Sequence, residues 1–179
     1  MKKMIWALIF GAIAVFPAHA EDLAIPTASG NDAADNAKIE QYMEQAVDKQ
    51  LEAMRSTLPM RVSAGVVWKD VEKNKDGLRY IYQIDIDAMI SSLPAELRQH
   101  IGENGKKEVL GKMKPTLCPQ IKPMLCVSLD LISTFSPKLQ RITATYLQAD
   151  GSEFVSCGYS LNDCAEVLEQ YNQKASAAE

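Results

Sequence analysis

The sequence predicts an α+β domain: a single antiparallel sheet of four to five strands with helices packed on one face, in the order α-ββ-αα-β(β)β-α. Three observations lead there. An apolar periodicity of three and four residues runs from Asp35 to Leu58, and two alternating stretches flank Asp76-Gly77. The C-terminal third repeats the alternation and closes on a helix.

The first 20 residues are set apart from this domain. Lys2 and Lys3 are followed by an apolar run from Ile5 to Phe16 and by Ala18-His19-Ala20, the three-part layout of a cleaved secretory signal. The run is shorter than the ~20 residues a spanning helix needs. Residues 21–33 mix Pro, Gly, Ser, Asn and Asp without a period and read as a flexible lead-in. One domain is expected over residues 34–175, with 176–179 fraying. After signal removal 17 basic residues face 23 acidic ones, a net charge of −6. That balance argues against nucleic acid, which asks for a basic face.

Along the domain, Ile39, Tyr42, Met43, Ala46, Val47, Leu51 and Met54 form the inner stripe of the first helix, which Pro59 ends. Residues 60–69 and 78–86 alternate as a hairpin around DVEKNKDG. Leu93-Pro94-Ala95-Glu96 starts a second helical region, interrupted at Gly102 and Gly105 and running to about Lys114. Pro115, Pro119 and Pro123 predict a turn-rich connector in place of a long helix. Val127 to Thr134 alternates like a third strand, 138–147 like a fourth, and Gln148-Ala149-Asp150-Gly151 turns the chain into 152–157. Ser160 and Asp163 resemble a capping pair for a last helix over about 162–174.

Four cysteines, Cys118, Cys126, Cys157 and Cys164, lie in the exported part, so disulfides are expected. Sequence-local pairing, Cys118 with Cys126 and Cys157 with Cys164, is favoured over the nested arrangement of Cys126–Cys157 inside Cys118–Cys164. The spacings do not fit zinc knuckles, and neither a metal nor a cofactor is expected. Positive charge gathers at Arg98, Lys106, Lys107, Lys112 and Lys114, either a docking surface for an acidic partner or a solvated helix face.

Signatures of catalysis are missing from the pattern. His100 is the single histidine beyond the signal, C-x-x-C does not occur, and Asp85 and Asp87 are close only along the chain. The expectation is therefore a non-catalytic, disulfide-stabilised protein-binding module of the bacterial envelope, periplasmic or secreted. It would serve as an accessory factor of a secretion or surface apparatus, or as an inhibitor or immunity protein. It is expected to bind a protein partner, to bind no nucleic acid and to have no stable membrane insertion after signal cleavage. The alternative is a carrier for a small apolar ligand held against the aromatic face of the first hairpin.

Overall fold

The computed structural model describes residues 32–99, 101 and 103–176. The signal, most of the lead-in and His100 lie outside the described residues. The order is α1 (Asp32–Ser56), β1 (Met60–Ser63), β2 (Val66–Lys73), β3 (Gly77–Ile84), α2 (Ile86–Ser91), α3 (Ala95–Arg98), α4 (Glu103–Phe135), β4 (Arg141–Leu147), β5 (Glu153–Ser160) and α5 (Leu161–Ser176). The expected α+β class holds, with five strands in one sheet ordered β1-β2-β3-β4-β5.

Burial alternates along the strands, as a sheet covered on one face requires. Val66, Trp68 and Val71 of β2, Leu78, Tyr80, Tyr82 and Ile84 of β3, and Ile142, Ala144 and Tyr146 of β4 are buried. They meet Leu51 of α1, Leu117, Ile121, Leu125 and Leu129 of α4 and Cys164 of α5 in one core. Trp68, Tyr82 and Tyr146 stand in one row across β2, β3 and β4. Their rings stack at centroid distances of 6.0 and 5.0 Å. Leu125 of α4 is fully buried. Leu125→Ala is expected to cost about 2–5 kcal/mol, read as a lowered denaturant midpoint with an unchanged m-value.

Four details differ from the sequence reading. Residues 60–69 are not one strand, because Gly65 turns the chain between β1 and β2 at φ +74°. A Cβ there would come within 2.5 Å of the Asp85 carbonyl oxygen. Three strand pairings are antiparallel, but β3 and β4 run parallel, with Gly77 opposite Arg141 and Gln83 opposite Leu147. A parallel pair needs a crossover, and the helices α2 to α4 supply it.

The two remaining corrections concern α4. Pro115, Pro119 and Pro123 do not break it, and Val127–Thr134 is its C-terminal part, not a third strand. The prolines recur every four residues, so they share one stripe, and all three are exposed. The carbonyls they leave unbonded therefore face water, while Leu117, Ile121, Leu125 and Leu129 anchor the opposite side. The same spacing of four decides the helix against the strand. Leu129 is buried and Leu131 exposed, although strict alternation would put them on one face.

Candidate functional site

The disulfides pair neither locally nor in the nested way. Cys118 bonds Cys157 and Cys126 bonds Cys164, so the two bridges cross in sequence. The reason is the helix itself. Cys118 and Cys126 sit two turns apart on one rigid element, about 12 Å along its axis, beyond the span of a disulfide. Each instead reaches the chain beside it: Cys118 the edge strand β5, Cys126 the first turn of α5. Among the described cysteines there is no free thiol. A chain with two such bridges matures in an oxidising compartment, outside the cytoplasm.

The bridges bracket β5. Tyr159 on β5 donates its hydroxyl to the Cys118 carbonyl at 2.7 Å, and Lys122 lies 5.7 Å from the centre of its ring. At the end of β5 the Ser160 amide and hydroxyl both donate to Asp163 Oδ2, at 2.8 and 2.6 Å. The Asp163 amide donates back to Ser160 Oγ, completing the expected cap. Those bonds from Ser160 hold the Asp163 carboxyl below its ordinary range.

On the sheet face away from the helices, a hydrogen-bond chain crosses four strands. Glu72 pairs with Arg79, Arg79 Nε donates to Thr145 Oγ1 at 3.0 Å, and Thr145 Oγ1 meets Ser156 Oγ at 3.1 Å. The chain ends on β5, the last strand of the sheet. Ser156 and Gly158 are exposed there, and Val155 and Tyr159 half-buried. Within the sheet the backbone of β5 bonds to β4; beyond the sheet the Ser160 amide is taken by Asp163, and the Cys118 sulfur lies 4.0 Å from the Ser156 carbonyl oxygen.

The two sheet edges are unlike. β1 has four residues, carries Arg61 and is interrupted by an irregular register between Arg61 and Ser63. Short length, charge and bulges are the usual protections of an edge. β5 has eight residues, and from Phe154 to Ser160 it carries neither charge nor proline. The sequence showed a strand over 152–157. It did not show that the strand continues to Ser160, nor that it lies at the edge, although the uncharged run FVSCGYS was a visible sign.

The basic residues fall elsewhere. Arg98 ends α3, and the four lysines lie in the N-terminal part of α4. Lys106 pairs with Asp87 and Lys112 with Glu108. Lys107 and Lys114 share a helical stripe, but Lys112 lies roughly 150° round from both at 100° per residue. The helix thus does not bring these lysines to one face. Asp85, next in sequence to this region, accepts the Ala88 amide at 3.0 Å and caps α2.

Among the described residues no helix is long and apolar enough to cross a membrane, and no group of three His, Cys, Asp or Glu side chains is placed to hold a metal.

No protein-family model and no curated protein matches the sequence. Two solved structures are similar to it. One is a protein of Pseudomonas aeruginosa assigned as secreted, 8% identical, with a TM-score of 0.47 over 70% of this chain and 95% of that one. The other is the pilotin EpsS of the Vibrio vulnificus type 2 secretion system, 10% identical, with a TM-score of 0.39 over 72% of this chain and 97% of that one.

Proposed function

We propose that this protein is a non-catalytic, exported protein-binding module of the bacterial envelope that takes up a partner segment along the outer edge of β5. The observation that carries the reading is the edge itself: eight residues, uncharged from Phe154 onward, and bridged to α4 through Cys157. An unprotected edge is a template for another strand, and main-chain hydrogen bonds along it give affinity. Its rigidity lowers the ordering cost on the protein's side.

Of the groups that sequence reasoning weighed for chemistry, His100 lies outside the described residues, and Asp85, Asp87 and the cysteines have structural duties. Asp85 caps α2, Asp87 pairs with Lys106, and the four cysteines are bonded to one another. The partner's identity separates an accessory factor of a secretion or surface apparatus from an inhibitor or immunity protein.

The test is a photo-crosslinking amino acid placed singly at Ser156, Ser160 and Lys112 in the exported protein in intact cells. Crosslinks from Ser156 and Ser160 should reach one segment of one protein, at positions about four residues apart, the spacing of a paired strand. Lys112 should give none. Crosslinks that do not follow this spacing, or none at all, would overturn the reading.

A further inference from the structure

The cysteines that meet most readily in the unfolded chain are not those bonded in the folded one. Cys118 and Cys126 are eight positions apart in sequence, Cys157 and Cys164 seven. The native bridges join residues 39 and 38 positions apart. By loop-closure entropy each local pair meets about tenfold more often than either native pair.

Nothing in the unfolded chain counters this bias. In α4 the helix holds Cys118 and Cys126 two turns apart, beyond the span of a disulfide. That helix, however, contains Pro115, Pro119 and Pro123, and alone the segment is a poor helix former. Before the core forms, the two cysteines are free to meet. Synthesis also delivers them ahead of Cys157 and Cys164.

Once both local pairs have closed, the chain is trapped. A bridge from Cys118 to Cys126 excludes the helix between them, and with it the packing of Ile121 and Leu125 into the core. All four sulfurs are bonded, so no thiolate of the chain's own remains to start an exchange.

We infer that this protein is a substrate of a disulfide isomerase, a protein presenting a reactive thiolate in the oxidising compartment, and that its crossed bridges arise by exchange from the local ones. The isomerase thiolate attacks Cys118, forming a mixed disulfide and releasing Cys126 as a thiolate. Cys126 attacks Cys164, which makes one native bridge and releases Cys157. Cys157 then attacks the mixed disulfide at Cys118, which makes the other and returns the isomerase thiolate. Two bridges become two bridges, with no net oxidation or reduction.

Burial gives the exchange its direction. In the folded chain Cys126, Cys157 and Cys164 are buried and Cys118 is half-buried. With α4 broken, the core that covers them is incomplete. The isomerase thiolate therefore reaches the local bridges and is shut out from three of the four native sulfurs.

The test takes the exported protein, reduced and denatured, and dilutes it into native buffer with diamide as the oxidant. Trypsin then reads the pairing. Lys114 and Lys122 precede proline and resist cleavage, so Cys118 and Cys126 share fragment 113–138, while Cys157 and Cys164 share fragment 142–174. Local bridges leave these fragments separate, and native bridges link them. Over all pairings, separate fragments should exceed linked ones about fivefold in the fully oxidised protein. After removal of diamide, a catalytic amount of purified disulfide isomerase should convert them to linked fragments with native ellipticity. The same isomerase without its attacking cysteine should not. The Cys126→Ala, Cys164→Ala variant has no local pair to form, and should close its single bridge with diamide alone.

Linked fragments in the majority before isomerase is added overturn the inference. So does a separate-fragment form that the active isomerase leaves unchanged, or that the inactive one converts equally well. A double variant that fails to close its bridge would show that loop closure, not mispairing, is the obstacle, and would also overturn it.

Discussion

A variant with both Cys126→Ala and Cys164→Ala is expected to lose about 3 kcal/mol of stability by the chain-entropy relation, because the retained Cys118–Cys157 bridge shortens the loop that the removed one closes to roughly 15 residues. The bridge spans 38 residues, and both sulfurs are buried. Alanine is the better replacement, because serine would place a polar hydroxyl in the core where each sulfur is buried. Chemical denaturation of the oxidised variant measures the loss. Thiol labelling under denaturing, non-reducing conditions tests the pairing behind it. The double variant leaves Cys118 and Cys157 bonded and should label at no site. The mismatched variant, Cys118→Ala with Cys126→Ala, removes one partner from each bridge and should label at both Cys157 and Cys164. A mismatched variant that labels at neither cysteine, together with labelling of Cys118 and Cys157 in the Cys126→Ala, Cys164→Ala variant, would mean that Cys157 pairs with Cys164, and the crossed arrangement would be wrong.

That pairing shows where the sequence was readable and where it was not. The periodicity of α1, its end at Pro59, the turns at Asp76-Gly77 and Asp150-Gly151 and the Ser160–Asp163 cap all depend on residues within a few positions of one another. They were legible for that reason. The exported part of the cysteine argument was legible too, since it needs only their number and compartment.

The path of α4 was not legible. Three prolines cost a helix roughly 9 kcal/mol if each counts as an isolated interior break. What offsets that cost is tertiary: the leucine and isoleucine stripe pressed on the sheet, and the bridges from Cys118 and Cys126. Once the segment is read as a connector, two errors follow. Val127 to Thr134 becomes available as a strand, and the cysteine pairs become free to close locally.

The sheet order was hidden for a different reason. Alternation tells which face a residue occupies, not which strand lies beside it. Nothing local to β3 or β4 announces a parallel pair, and nothing local to β5 announces an edge. The candidate site is therefore a property of topology, visible in the sequence only as an uncharged strand with a glycine in it.

The second large effect is alkaline unfolding driven from the aromatic row. Burial pushes the Tyr80 phenol up to about 12. Burial raises Tyr82 and Tyr146 further, and for Tyr82 the neighbouring Tyr146 and Tyr80 add to it. In the unfolded chain each phenol titrates near 10. Below that pH both states hold their protons and the tyrosines leave stability independent of pH. Above it the unfolded chain releases protons that the folded one keeps, so stability falls as pH rises toward the folded values. Each group contributes about 1.4 kcal/mol per pH unit, and three together roughly 4. Against a domain stability of about 5–15 kcal/mol, this sets cooperative unfolding near or just above pH 12. Ellipticity and phenolate absorbance followed together should show these three tyrosines ionising with the loss of structure, not before it. Tyr82→Phe removes one of the three and should move the alkaline midpoint upward. Phenolate absorbance that reaches its full value while the ellipticity is unchanged would show that the row is open to solvent, and that the sheet and helices do not close over it.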